Sequence, residues 1–156
     1  MNHNQIKLDG IESIQTIRLD LQRIPKETGI YCILLPEKFR IEFLEQGTGG
    51  AFKKRNPNVS LEELKNNWVE GTDILYIGKT DDSLRTRISA YLKFGDGKPI
   101  GHWGGRYIWQ LANSQELLVG WKALPTEGGT GALETQYLRQ FYQEHGKLPF
   151  ANLKIS

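Results

Sequence analysis

Disulfide chemistry is absent from this chain: Cys32 is its one thiol in 156 residues, which excludes an internal disulfide and fits a reducing compartment. Charge of one sign is scarce as well. Twenty Lys and Arg against eighteen Asp and Glu leave a formal net charge of +2, so any surface basic enough for nucleic acid must be local. No apolar run approaches transmembrane length, and the opening Met1-Asn2-His3-Asn4-Gln5 lacks the apolar stretch of a signal peptide. No His/Cys set is spaced to hold a structural zinc. What remains is an ordinary globular composition, 38% hydrophobic and 24% charged, long enough to bury a core. These features predict one cytoplasmic domain over 1–156, with no membrane partner.

The rest of the chain is organised around residues 74–92. Ile74-Leu75-Tyr76-Ile77-Gly78-Lys79 reads as a strand, with Ile74, Tyr76 and Gly78 on one face and Leu75 and Ile77 on the other. Lys79-Thr80-Asp81-Asp82-Ser83 supplies turn and helix-start residues, after which Leu84, Ile88, Tyr91 and Leu92 recur at helical spacing. A phenol on the strand (Tyr76), a lysine at its end (Lys79) and Arg87 on the next helix would together suit a phosphate.

Before this stretch, Ile11, Ile14 and Ile17 fit a short helix, and Ile17, Leu19 and Leu21 alternate as in a strand or extended arm. Gly29-Ile30-Tyr31-Cys32-Ile33-Leu34-Leu35 is a nearly continuous apolar run, as in a strand covered on both faces. Residues 38–45 have loose apolar character that would extend a hairpin. Lys53-Lys54-Arg55 is the densest basic cluster, readable either as a flap touching phosphates or as a solvated loop. Ser60 and Glu63 form a capping box opening a helix with Leu61, Leu64 and Trp68 on one side.

After the Arg87 helix, a glycine-rich segment carries Lys98, His102 and Arg106 among Trp103, Tyr107 and Trp109. Those aromatics serve either base stacking or the core, and Arg106 is the stronger candidate for binding. Residues 117–124 read as a further strand. Thr130 is the expected cap of a final helix whose Leu133, Tyr137, Leu138 and Phe141 face the core. Glu134 lies at the edge of that stripe. It is either a first-turn glutamate favoured by the helix dipole or a carboxylate that needs a partner.

Gly29-Ile30-Tyr31 followed by Tyr76-Ile77-Gly78, then Arg87 on the next helix, Glu134 on a late helix and the Pro149-to-Asn152 close, resembles the GIY-YIG endonucleases. The resemblance covers roughly residues 25–154. It departs from the family pattern in an insertion over 36–72 between the motif strands, in one extra residue before the arginine helix, and in Tyr91 where some members have histidine. The implied fold is α/β (α+β): a small three-stranded antiparallel sheet (near 29–35, 73–79 and 117–124) flanked by helices near 84–92 and 132–145.

The resemblance implies hydrolysis of DNA phosphodiester bonds with one divalent metal ion, Mg2+ or Mn2+, held by Glu134. Arg87, preferred over Arg85, would hold the scissile phosphate. Tyr76, with Tyr31 beside it and Lys79 nearby, would orient or deprotonate the attacking water. An unperturbed tyrosine has a pKa of about 10 and is a poor base at neutral pH, so either neighbouring cations favour the phenolate or Tyr76 passes the proton along a hydrogen bond. Gly78 would keep space open, Tyr91 and Arg106 would contact substrate, and Asn152 would tie the chain end onto the site. The substrate class extends to branched or structured DNA and to RNA. Because the chain ends soon after Asn152, specificity is expected from the insertion, from a homodimer or from a partner protein. The competing reading is a nucleic-acid-binding module of the same fold that cuts nothing.

Overall fold

In the computed structural model, which describes residues 1–124 and 129–153, every residue of β2 (Gly29–Leu34) is buried. Its apolar, β-branched composition suits a strand covered on both faces. β2 pairs antiparallel with β3 (Ile74–Thr80) on one side and β4 (Leu118–Ala123) on the other. A fourth strand, β1 (Gly10–Ser13), pairs antiparallel with β4, giving the order β1-β4-β2-β3.

The fold is therefore α+β with a four-stranded sheet rather than three strands, and four α-helices among the described residues. β1 was missed because Gly-Ile-Glu-Ser is too short and half-exposed to show a period. Its first residue lies under the Trp121 ring, where an added Cβ would sit 2.3 Å from a ring carbon. The predicted helix through Ile11, Ile14 and Ile17 is confined to α1 (Ile14–Leu19), capped by the Ser13 hydroxyl. The alternation over Ile17, Leu19 and Leu21 forms no strand. Leu19 is 85% exposed, and Asp20 leads into a 3-10 turn over Leu21–Arg23.

The face assignment along β3 also needs correction. The register shifts opposite Ile33/Leu34, so Leu75 is the extra residue of a bulge. Ile74 packs with Ile77, Cys32 and Ile30 in one cluster, while Leu75 joins Tyr76, Tyr31 and Ile33 in the other. The two clusters lie on opposite faces of the sheet. α3 (Leu84–Gly95) covers the tyrosine face with Leu84, Ile88, Tyr91 and Leu92, after a Ser83 cap. α4 (Thr130–His145) covers the other with Tyr137, Leu138 and Phe141, and ends at Gly146 with φ 71°, a left-handed stop that glycine adopts freely.

The insertion forms α2 (Leu61–Asn67), whose Ser60 cap accepts from Glu63 N–H. The Glu63 carboxylate takes the Tyr107 hydroxyl. No strand forms over residues 38–45; Phe43 makes one isolated bridge to Leu111 and packs on Trp68 and Phe150. Gln110, buried, braces this segment: its amide donates to Leu44 O and Val59 O at 3.0 and 2.9 Å and accepts from Val59 N–H at 2.8 Å. No helix among the described residues is long and apolar enough to cross a membrane.

Asn152 lies along β3, its side chain accepting from Ile77 N–H and donating to Ile77 O, both at 2.9 Å. Replacing it with alanine leaves both backbone groups without these partners. Asn152→Ala is expected to lower stability by about 1–3 kcal/mol, read as a fall in thermal midpoint, and to speed amide exchange at Ile77. An unchanged midpoint and exchange rate would show that the contact contributes nothing.

Candidate active site

Tyr31 lies directly across from Gly78 in the β2–β3 ladder. A Cβ on residue 78 would come within 2.5 Å of the Tyr31 ring, so only glycine lets the phenol lie flat over β3. Tyr76, two residues earlier on β3, stands 6.0 Å from Tyr31 between ring centroids. Tyr91, from α3, completes a buried trio, stacked on Tyr76 at 5.9 Å with its hydroxyl donating to Gly105 O at 2.7 Å.

The first two phenols open onto a cleft of about 320 Å3 whose other walls are Lys79, Thr80, Asp81, Arg87 and Glu134. The structure thus brings Tyr31, Tyr76, Lys79, Arg87 and Glu134 together. It places Tyr91 behind them and off the cleft wall. Arg106 lies away from the cleft, packed over Trp103 and Tyr107 at 4.9 and 5.4 Å. Asn152 is engaged with β3. Arg85 turns away to donate to Ile24 O at 2.8 Å, leaving Arg87 as the guanidinium in the cleft.

Glu134 reaches this cleft although α4 packs its apolar stripe on the opposite face, because β3 is an edge strand. Thr130, the first residue of α4 rather than its cap, donates its hydroxyl to Asp81 just after β3. Thr130 and Glu134, four apart, share one helix face, so pinning the first carries the second round the edge. Glu134 is 5% exposed. Asp81 also takes the Lys79 ammonium at 2.8 Å. These two contacts, Lys79 foremost, hold its carboxyl below the usual range. Asp81 and Thr130 escaped the sequence reading because a turn aspartate and a helix-start threonine carry no sign of what they will meet.

Burial pushes both Tyr31 and Tyr76 above the ordinary phenol value; Arg87 opposes the rise at each, and Glu134 adds to it. Burial works against the charge on Arg87, but Tyr31 and then Tyr76 outweigh it and hold that guanidinium above its ordinary value. His102 is buried against Tyr91, ring centroids 4.6 Å apart. Its Nδ1 faces Gly104 O at 3.2 Å, which makes Nδ1 the protonated nitrogen and Nε2 the acceptor for the Tyr31 hydroxyl at 3.4 Å. Burial first, and Arg87 second, lower its pKa to about 4. His102 is therefore neutral at pH 7 and adds no positive charge beside the phenols.

No group of three or more His, Cys, Asp or Glu among the described residues is arranged to cage a metal ion. With the Asp81 carboxylate engaged by Lys79 and Thr130, the Glu134 carboxylate in this polar cleft of about 320 Å3 fits a hard divalent ion that keeps water and substrate oxygens as its other ligands. Lys79 also borders a larger open groove of about 930 Å3 along α4, with Gln136, Arg139 and Gln143 on its wall. Fold and cleft together define an α+β protein with a tyrosine-, arginine- and glutamate-lined pocket at a sheet edge. No protein-family model matches the chain, and no curated protein or solved structure is significantly similar to it.

The depressed His102 fixes a pH dependence. Its folded pKa of about 4 lies below the ordinary 6.5, so the stability that depends on its neutral form is complete above 6.5 and falls away as pH drops toward 4. Relative to His102→Gln, the native protein should lose on the order of 3 kcal/mol across that window, measured by chemical denaturation at stepped pH. An imidazole NMR titration with a midpoint near 6.5 would contradict this placement.

Proposed function

We propose that the cleft hydrolyses DNA phosphodiester bonds, making this protein a metal-dependent endonuclease of the GIY-YIG type that its sequence resembles, acting in DNA repair, recombination, restriction or mobile-element defence. The observation that carries the reading is the convergence of Tyr31, Tyr76, Lys79, Arg87 and Glu134, spread over more than a hundred residues of chain, on one cleft of about 320 Å3. A single cleft of this kind cuts one strand. Double-strand cleavage then requires a homodimer, a partner protein or two successive events.

Each side chain has a distinct part. Arg87 holds the scissile phosphate and meets the charge that builds on its oxygens, as a fixed guanidinium fork does. Lys79, steadied by Asp81, adds a second positive charge at the cleft wall. Glu134 would hold a Mg2+ or Mn2+ ion, which when bound would supply neutralisation of the charge that builds during phosphodiester hydrolysis.

The raised phenols decide how the water is activated. With both Tyr31 and Tyr76 pushed up by burial, a standing phenolate is disfavoured. The chemistry that fits is transfer: as the water oxygen bonds to phosphorus, its proton passes to the Tyr76 oxygen while Tyr76 gives its own toward Tyr31. Tyr31, which lines the open cleft, passes its proton on to solvent there, while His102 Nε2, with a pKa of about 4, only orients the Tyr31 hydroxyl. The same raised phenols favour the second reading, a module that binds nucleic acid without cutting it.

Supercoiled plasmid incubated with Mg2+ or Mn2+ separates the two. Nicking by the wild type, reduced about 100-fold or more in Arg87→Ala and Glu134→Ala, is the expected result. Equal nicking by all three proteins would point to contamination and remove the enzyme reading; binding without nicking would establish the module.

A further inference from the structure

The insertion between β2 and β3 carries a feature that the cleft chemistry does not use. Residues 52–55 form a tight turn in which Arg55 N–H donates to Phe52 O at 3.0 Å and Lys53 and Lys54 have φ of 53° and 62°. Two consecutive left-handed residues mark the two-residue hairpin loop that favours Asn-Gly. A lysine held there is strained, because its Cβ crowds the backbone in the left-handed region, and this turn holds two, both exposed. Strain of this kind persists only where the surroundings enforce it.

The surroundings do enforce it. The Phe52 ring lies on Gly101, where an added Cβ would be 2.9 Å away. The Arg55 guanidinium sits over the Trp103 ring at 4.9 Å, and Arg106 reaches the same ring at 4.9 Å. One indole therefore gathers two guanidiniums, and the Lys53 ammonium lies over the adjoining Phe52 ring at 5.4 Å. Among the described residues, none of Lys53, Lys54, Arg55 and Arg106 takes part in an ion pair. Burial lowers the Arg106 pKa; Tyr107 and then the Glu63 carboxylate, which receives the Tyr107 hydroxyl, only partly offset this, and Arg55 adds a smaller push downward.

The chain that carries Trp103 passes beside the phenols of the cleft. Trp103 stands between His102, whose Nε2 faces the Tyr31 hydroxyl at 3.4 Å, and Gly104, whose Cβ position is 3.2 Å from the Tyr76 hydroxyl. Like charges assembled at a strained, anchored turn, next to a segment that reaches the cleft's phenols, call for an anionic occupant.

We propose that Arg55 and Arg106, gathered on Trp103, together with Lys53 and Lys54 at the adjoining turn, form a second phosphate subsite that grips the nucleic-acid backbone next to the phosphate held in the cleft. This rests on the nucleic-acid reading given above and assigns the insertion its role: it fixes where the strand lies relative to Tyr76 and Arg87. The ring holds the guanidiniums by cation–π contact, and the lysines meet the backbone as mobile point charges.

The test exploits the strain. Lys53→Asn with Lys54→Gly installs the pair that the turn prefers while removing two charges. Binding of a fluorescein-labelled DNA oligonucleotide is followed by anisotropy without divalent metal over a range of salt, beside Glu134→Gln as a cleft variant. The double variant should melt at the same or a higher temperature than wild type, yet bind about tenfold more weakly at low salt. Its plot of log affinity against log salt should be shallower by about 1 to 2. Lys53→Arg with Lys54→Arg should keep the wild-type slope, and Lys53→Gln with Lys54→Gln reports the same loss should the first variant fold poorly. Unchanged affinity and slope in a well-folded double variant would overturn the subsite alone. Failure of the wild type to bind DNA at all would overturn the nucleic-acid reading together with it.

Discussion

The pairing of Tyr31 with Gly78 across β2 and β3 is the constraint on which the site depends. It lays a phenol flat over a strand that has no side chain at that position, and it puts Tyr76 beside it on the same face. Side-chain direction in a sheet has a period of two, so a slip of one residue between the two strands would put the phenols on opposite faces. The bulge at Leu75 absorbs the one irregularity further down the ladder, keeping Leu75 and Tyr76 together on the face that α3 closes. The carboxylate then has to come from the other side, and it does so round an unpaired edge, guided by the contact of Thr130 with Asp81.

Packing and chemistry are in tension in this arrangement. The apolar surroundings that hold Tyr31, Tyr76 and Tyr91 within 6.5 Å of one another, centroid to centroid, also push their hydroxyls away from ionisation. The same burial strips His102 of its charge and leaves Nε2 as a bare acceptor. What emerges is a line of neutral groups beside a guanidinium, suited to handing protons on rather than to storing charge.

The parts of this architecture that were legible in the sequence are those with long, one-sided patterns. β2 announced itself by an unbroken apolar run, and α3 and α4 by residues recurring three and four apart. The five cleft residues were legible as a set only through a motif resemblance, since nothing in local pattern connects Tyr31 with Glu134. β1 was illegible because four residues with one apolar side chain define no period. The bulge was illegible because register belongs to two strands at once. The expected hairpin extension over residues 38–45 failed for a related reason: Phe43 packs on Phe150 and Trp68 and pairs only in one isolated bridge to Leu111. The bracing by Gln110 and the approach of His102 to Tyr31 depend on loop paths set by distant contacts. A segment read by itself cannot supply them.

The position of Asn152 has an implication for solubility. By occupying both hydrogen-bonding groups of Ile77, one amide side chain stands in for the neighbouring strand that β3 lacks, and it leaves an intruding chain no rail to follow at that point. Proteolytic trimming that removed it would expose this stretch to a second molecule. The first symptom would be turbidity that grows with protein concentration, arising in chains whose cleft is still intact.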